Sequence, residues 1–204
     1  MTLRLLSILL LVNVLAACAS APEPIKYYML APPSSPADRV VELSSKPSLV
    51  IEQVELAAYL RQSGMIMQTG DNQLVVSRNH LWAEDLELAV PKALVWQLQQ
   101  QSDDYSYYIR TLDWVGQADY RLRIRMDSLQ FTDQGEVVAA GRYQLITALK
   151  PETPVFVDFN FRRDITQDGY AHAVAEIDAL LGLLAGAVID SVDTLALQKA
   201  RGSE

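Results

Sequence analysis

The C-terminal half of the chain changes hydrophobic period once, and that change limits the folds open to it. Tyr120, Leu122, Ile124 and Met126 alternate with Arg121, Arg123, Arg125 and Asp127. The apolar parity then switches to Leu129 and Phe131, which predicts a β-bulge near Ser128. After the turn residues Asp133–Glu136, the next apolar series is Val137, Ala139, Tyr143, Leu145 and Leu149. Pro151 and Pro154 precede a third series, Val155, Val157, Phe159, Phe161 and Ile165, interleaved with Asp158, Asn160, Arg162 and Asp164. Period-two patterning of this kind predicts an antiparallel meander with one buried face. From Tyr170 to Leu197 the steps become three and four, through Val174, Ile177, Leu181, Leu184, Val188, Val192 and Leu195. That is a long amphipathic helix, with Asp168 placed to cap it. One apolar helix stripe and one apolar sheet face close a core against each other.

The N-terminal half supplies further strands and a second helix. Ile25–Leu30 is rich in strand formers and lies between prolines, which predicts an edge strand. Residues 31–38 read as a loop and Ser48–Glu55 as a strand. Met65–Thr69 and Gln73–Ser77 flank Gly70-Asp71-Asn72, a hairpin signal. A helix is predicted over about 84–101, with Leu86, Ala89, Val90, Ala93, Leu94 and Gln97 on one face and Trp82 one turn earlier. Asn79 is its expected N-cap, and Pro91 should kink or restart it. A short strand is expected near Tyr105–Arg110. The expected fold is therefore α+β: a single domain with a mixed, mostly antiparallel sheet packed by two main helices.

The first eighteen residues carry a different message. Arg4 precedes an apolar run from Leu5 to Leu15, about half of the roughly 20 residues that a bilayer span needs. That length suits a signal-peptide h-region. Leu15-Ala16-Ala17-Cys18 follows and resembles a bacterial lipobox. The resemblance implies cleavage before Cys18, a diacylglycerol on its sulfur and a further acyl chain, such as palmitate, on its new amine. Two or more acyl chains anchor stably where one is marginal. Residue 19 is alanine rather than aspartate, which by the sorting rule for such lipoproteins implies the periplasmic face of the outer membrane. The expected organisation is a signal peptide over 1–17, a lipidated tether over 18–24, a domain over 25–198 and a flexible tail over 199–204. The tether spans roughly 20 Å when extended, against a domain radius of gyration of about 16 Å. The domain therefore stays close to its membrane.

Composition narrows the chemistry. The formal charge of −8 disfavours nucleic-acid binding, which needs a basic surface. One cysteine and two histidines leave no disulfide within the chain and little material for a zinc site. His80 and His172 read as capping or surface residues. No Gly-x-Ser-x-Gly, P-loop or Gly-x-Gly-x-x-Gly is present. Glu84, Asp85 and Glu87 suit the positive end of a helix better than acid–base work. No catalytic residue, metal or dissociable cofactor is therefore expected. Arg121, Arg123 and Arg125 give the one pronounced surface signal. Either they pair across strands with Asp158, Asp164 or the acidic ends of a neighbouring strand, or they meet lipid phosphate or an acidic partner surface.

Four stretches carry a resemblance to a family, in order along the chain: Tyr27-Tyr28-Met29-Leu30, Val54 to Arg61, Trp82-Ala83-Glu84-Asp85-Leu86, and Ala118 to Leu122. Together with the lipobox they resemble the PqiC/YmbA-type auxiliary lipoproteins of bacterial MCE/ABC-type lipid-transport systems. Leu81, Asp85 and Arg61-Gln62-Ser63-Gly64 depart from that pattern. The resemblance implies a non-enzymatic outer-membrane subunit that docks a periplasmic MCE protein of PqiB type, supports phospholipid transport and envelope integrity, and contacts outer-membrane lipid. A homo-oligomeric ring is compatible with that role. A structural or regulatory lipoprotein for envelope or peptidoglycan assembly is the alternative. The expectation most directly exposed to experiment is the anchor. Cys18→Ser should abolish incorporation of labelled fatty acid and release the protein from the membrane fraction without changing its thermal stability.

Overall fold

The structure, a computed structural model, describes residues 23–30, 45–110, 117–148 and 150–202. The signal segment, Leu15, Ala16, Ala17, Cys18, the 31–38 loop and Leu149 lie outside the described residues. The strands are β1 (Lys26–Tyr28), β2 (Ser48–Leu56), β3 (Gly64–Thr69), β4 (Gln73–Trp82), β5 (Ser106–Ile109), β6 (Tyr120–Thr132), β7 (Glu136–Thr147) and β8 (Val155–Asp164). The helices are α1 (Leu86–Gln101) and α2 (Tyr170–Gly202). The result is an α+β fold with one mixed sheet and both helices on one of its faces.

β6 organises the sheet because it is long enough to carry two successive neighbours on one edge. Its first half pairs in parallel with β2 from Leu49↔Tyr120 to Leu56↔Met126. Its last residues pair in parallel with β3 at Met67↔Phe131 and Gln68↔Thr132. On the other edge it runs antiparallel to β7, which in turn pairs with β8. β5 extends the sheet beyond β2, and β4 then β1 extend it beyond β3. Edge position suits Ile25–Leu30, since among the described residues β1 pairs with β4 alone. The expected meander is β6–β7–β8, and the expected bulge is present, with the β6–β7 register shifting between Met126 and Ser128.

The handover from β2 to β3 takes place over that bulge. Ala57 N–H donates to the Met126 carbonyl at 3.0 Å. A 3₁₀ turn over Ala58–Leu60 follows. Within it, the Tyr59 hydroxyl lies 2.6 Å from Gln130 Oε1 and 2.9 Å from the Asp127 carbonyl. Gln130 is buried, and its amide reaches Gln68 Oε1 of β3 at 2.8 Å. A buried amide without such partners would be destabilising, so this network fixes the crossing point.

Leu122, Ile124, Met126, Val137, Ala139, Tyr143 and Leu145 meet Val90, Leu94 and Leu98 of α1 and Ile177, Leu181, Leu184 and Val188 of α2 in one core. The Tyr143 hydroxyl reaches across it to the Ala187 carbonyl at 3.0 Å and Ser191 Oγ at 2.7 Å. By length and composition α2 could cross a bilayer, but its apolar stripe is buried in this core.

The segment before α1 differs from its sequence reading. Asn79, His80 and Trp82 belong to β4, and α1 starts at Leu86 with Asp85 as N-cap. The Asp85 carbonyl accepts from Leu88 and Ala89 N–H, and Asp85 makes no side-chain cap bond. Pairing with β1 and β3 overrides the helical spacing of Trp82, since its N–H donates to Ser63 and Ala83 N–H to Tyr28. Pro91 lies inside α1, which continues past it to Gln101. At the start of α2 the Gly169 carbonyl accepts from His172 and Ala173 N–H, so glycine rather than Asp168 occupies the cap.

Gly141 faces Met126 beside the bulge, and a Cβ there would lie 2.0 Å from the Arg125 carbonyl oxygen. Backbone cannot yield as a flexible side chain can. Gly141→Ala should therefore destabilise by about 2 kcal/mol or more, read from the urea midpoint.

Candidate functional site

The sheet face away from the helices is uncovered by either helix, and its centre is built from charged side chains. In β6, alternation sends Arg121, Arg123 and Arg125 to this face while Tyr120, Leu122, Ile124 and Met126 enter the core. The neighbouring strand supplies the organising carboxylate. β2 has a register shift between Ile51 and Gln53, so Glu52 has no partner across the ladder. Alternation along β2 places Leu49 and Ile51 in the core and so turns Val50 and Glu52 to the arginine face, and the shift brings Gln53, opposite Arg123, to the same face.

Three guanidinium groups meet Glu52. Arg123 Nε lies 2.7 Å from Oε2, while Arg110 and Arg121 Nη1 lie 3.4 and 3.6 Å from Oε1. The Glu52 side chain is 7% exposed, whereas those of Arg110, Arg121 and Arg123 are 61%, 32% and 45% exposed. One carboxylate balances one charge, so this group of four carries a formal +2 within an acidic protein. Its outer N–H donors point to solvent and can bind oxyanions.

Arg125 has a different partner from the two arginines before it. It makes a bidentate pair with Asp127 of its own strand, at 3.0 and 3.3 Å. Asp158 pairs with Arg142 on β7, at 2.5 and 3.0 Å, and that guanidinium holds its carboxyl below the usual aspartate range. Neither Asp158 nor Asp164 is the partner of the β6 row. Arg162 pairs with Glu136 at 3.1 Å. These rim pairs are exposed and contribute little stability each.

Two shallow clefts flank the row. One, of about 270 Å³, is lined by Gln53, Arg123, Arg142, Gln144 and Phe156 among others. The second, of about 320 Å³, lies over Val50, Glu52, Arg110 and Arg121. Both sit at or below the low end of the ~300–1,000 Å³ range of small-molecule pockets. They can seat a headgroup-sized anion or an acidic side chain, but not a diacyl lipid.

The arrangement offers oxyanion binding rather than bond making. No nucleophile stands beside a base here, and no cluster of metal-ligating side chains occurs among the described residues. The Tyr28 hydroxyl lies 2.8 Å from His80 Nδ1, and the His80 ring stacks on Tyr170 at 3.6 Å between centroids. His80 thus joins β1, β4 and α2. Sequence reasoning found the arginine row but missed Glu52, Arg110 and Arg142. The one available signal was a lone acid inside the apolar run Leu49–Ile51 and Val54.

Glu52→Gln leaves three cations around a neutral amide. It should lower stability by about 1–3 kcal/mol, with the loss shrinking as salt screens the exposed guanidiniums. Urea titrations at low and high salt check both parts.

Comparison with known proteins places this fold. The family model described as "ABC-type transport auxiliary lipoprotein component" matches residues 28–188. The chain is 28% identical over 131 residues to the intermembrane transport lipoprotein PqiC of Escherichia coli (strain K12), covering 64% of this chain and 68% of that protein. PqiC of Shigella flexneri matches to the same extent. Among solved structures, one described as an uncharacterized protein aligns with a TM-score of 0.69 and 22% identity, covering 83% of this chain and 99% of the other. Protein XCC0632 from Xanthomonas campestris aligns with a TM-score of 0.63 and 12% identity, covering 88% and 98% of the two chains. These two likenesses bear on the fold alone. The family match runs from the edge strand β1 through most of α2, and the chain belongs to the ABC-type transport auxiliary lipoprotein component family.

Proposed function

We propose that the protein is an outer-membrane-anchored, non-enzymatic subunit of an intermembrane lipid-transport assembly. It holds the end of a periplasmic MCE-domain tube of PqiB type at the outer membrane through the open face of its sheet. The observation that carries this reading is the pairing of the family match with an uncovered, arginine-bearing sheet face. The similarity to a relative named for intermembrane transport supports the lipid-transport setting. The headgroup-sized clefts fit a subunit that binds a partner surface and leaves lipid carriage to that partner.

Arg121 and Arg123 are the anchor points of this surface, with Arg125 at its rim. Their free N–H donors suit carboxylates on a partner, and a tethered subunit meets its partner at high effective concentration, so each contact can be modest. Cys18, acylated within Leu15-Ala16-Ala17-Cys18, holds the subunit in place.

The test is co-purification of the tagged, acylated protein with the MCE protein from detergent extract. A triple variant, Glu52→Gln with Arg121→Gln and Arg123→Gln, removes two of the cations together with the buried counter-ion and leaves Arg110, the most exposed of the three at 61%, to solvent. We expect at least a tenfold loss of associated MCE protein with an unchanged thermal midpoint. Full retention of the partner by that variant would remove the open face from the docking surface. Failure of the unaltered protein to associate with any MCE protein would sink the docking role.

A further inference from the structure

The outermost strand carries a second exposed surface, apolar rather than charged. On β1 and its flanks, Ile25, Tyr27 and Met29 are 55%, 64% and 52% exposed. They alternate with Lys26 and Tyr28, so they share one side of the strand. Tyr28 points the other way, toward His80 and Tyr170. Farther back along β4, beyond the residues that β1 pairs with, Leu74, Val75 and Val76 are 41%, 43% and 40% exposed in succession. Among the described residues, β1 covers the outer edge of β4 at His80–Trp82 only, and no other strand pairs with Leu74–Val76 on that edge. Three consecutive exposed apolar residues on an open strand edge are a liability that folded proteins otherwise avoid or cover.

The position of the anchor indicates what covers them. Asn79 Nδ2 lies 3.4 Å from Glu23 Oε2, which places Glu23 beside β4. β1 runs parallel to β4, so the chain arrives from the side of Leu74–Val76. Cys18 is five residues before Glu23, at most roughly 17 Å of extended chain, and Leu74 is five residues before Asn79, a similar distance along β4. The acyl chains and the apolar patch are therefore within reach of one membrane surface. The intervening segment Ala19–Pro24 is a poor cover, because its two prolines lack the N–H that an added strand needs. A tyrosine and a lysine beside aliphatic side chains match the composition of a membrane interface.

We propose that this edge of the sheet, with Ile25, Tyr27 and Met29 at its centre and Leu74–Val76 as its continuation, rests in the headgroup interface of the bilayer that holds the Cys18 acyl chains. The contact fixes the orientation of the domain, where the tether alone would leave it free to turn. The inference rests on the lipoprotein reading of Cys18 and is independent of the MCE partner.

Alkylation of the single native cysteine leaves any introduced cysteine as the one free thiol. Tyr27→Cys, Val75→Cys and Phe156→Cys are each carried in the full acylated protein and labelled with a nitroxide. Each is incorporated into phosphatidylethanolamine–phosphatidylglycerol vesicles. Phe156, 58% exposed on β8 at the far side of the sheet, is the control. Power saturation compares collisions with oxygen, which enriches in lipid, and with a water-soluble nickel complex. We expect labels at 27 and 75 to show at least a threefold higher oxygen-to-nickel ratio than the label at 156. Equal ratios at all three sites, with the protein still bound to vesicles, would overturn the proposal and leave the anchor reading intact. Spin–spin broadening at 75 that grows with protein density would overturn it in favour of a second copy on this edge. Protein that fails to stay with the vesicles would overturn the anchor and the proposal together.

Discussion

The bulge at Asp127 is the irregularity on which the rest of the sheet depends. A regular β6 of this length would turn Leu129 and Phe131 to the open face, because a one-residue slip moves every later side chain to the opposite side. With the bulge, both residues stay in the core below the helices. The same point is where β2 leaves the edge of β6 and β3 takes over. The Tyr59 hydroxyl and the Ala57 N–H hold the crossing chain to Asp127 and Met126, and Gly141 lets β7 approach from the other side. Tertiary contact and backbone irregularity thus stabilise each other.

The stretches that resemble the family lie at joints of this kind. Tyr28 ties β1 to His80 and Tyr170. Tyr59 and Leu60 form the crossing over the bulge, with Leu60 buried. Trp82 closes β4, and Asp85 starts α1. Asp119 accepts from both the N–H and the hydroxyl of Ser48, locking the beginnings of β2 and β6 together at 2.9 Å. The charged surface is built around Glu52, at the middle of the open face.

Placing both helices on one face separates two kinds of surface. The charged row lies over β2 and β6 in the middle of the open face, while the apolar patch lies on β1 and β4 at its margin. In the proposed role the margin meets lipid and the centre meets protein, so one domain can engage both at once. The charged centre is unsuited to the acyl region, where burying guanidiniums is unfavourable. The apolar margin is unsuited to free solvent.

Much of this was legible in the sequence. The alternation in 120–131 and 155–165 specified strands and the side each residue faces, and the parity switch located the bulge to within a residue. The three- and four-residue steps from Val174 to Leu195 specified α2, because a helix of that length repeats its stripe often enough to leave no other reading. The resemblance of Leu15-Ala16-Ala17-Cys18 to a lipobox is likewise a local signal, read without a fold. Short-range patterns misled at 79–85, where the partners that decide between strand and helix are Tyr28, more than fifty residues earlier, and Ser63. They were also silent on Glu52, since its role comes from meeting arginines on β6 and just after β5. Periodicity records which side of an element is buried. Which carboxylate answers which cation depends on register between strands distant in sequence, and only the tertiary structure decides that.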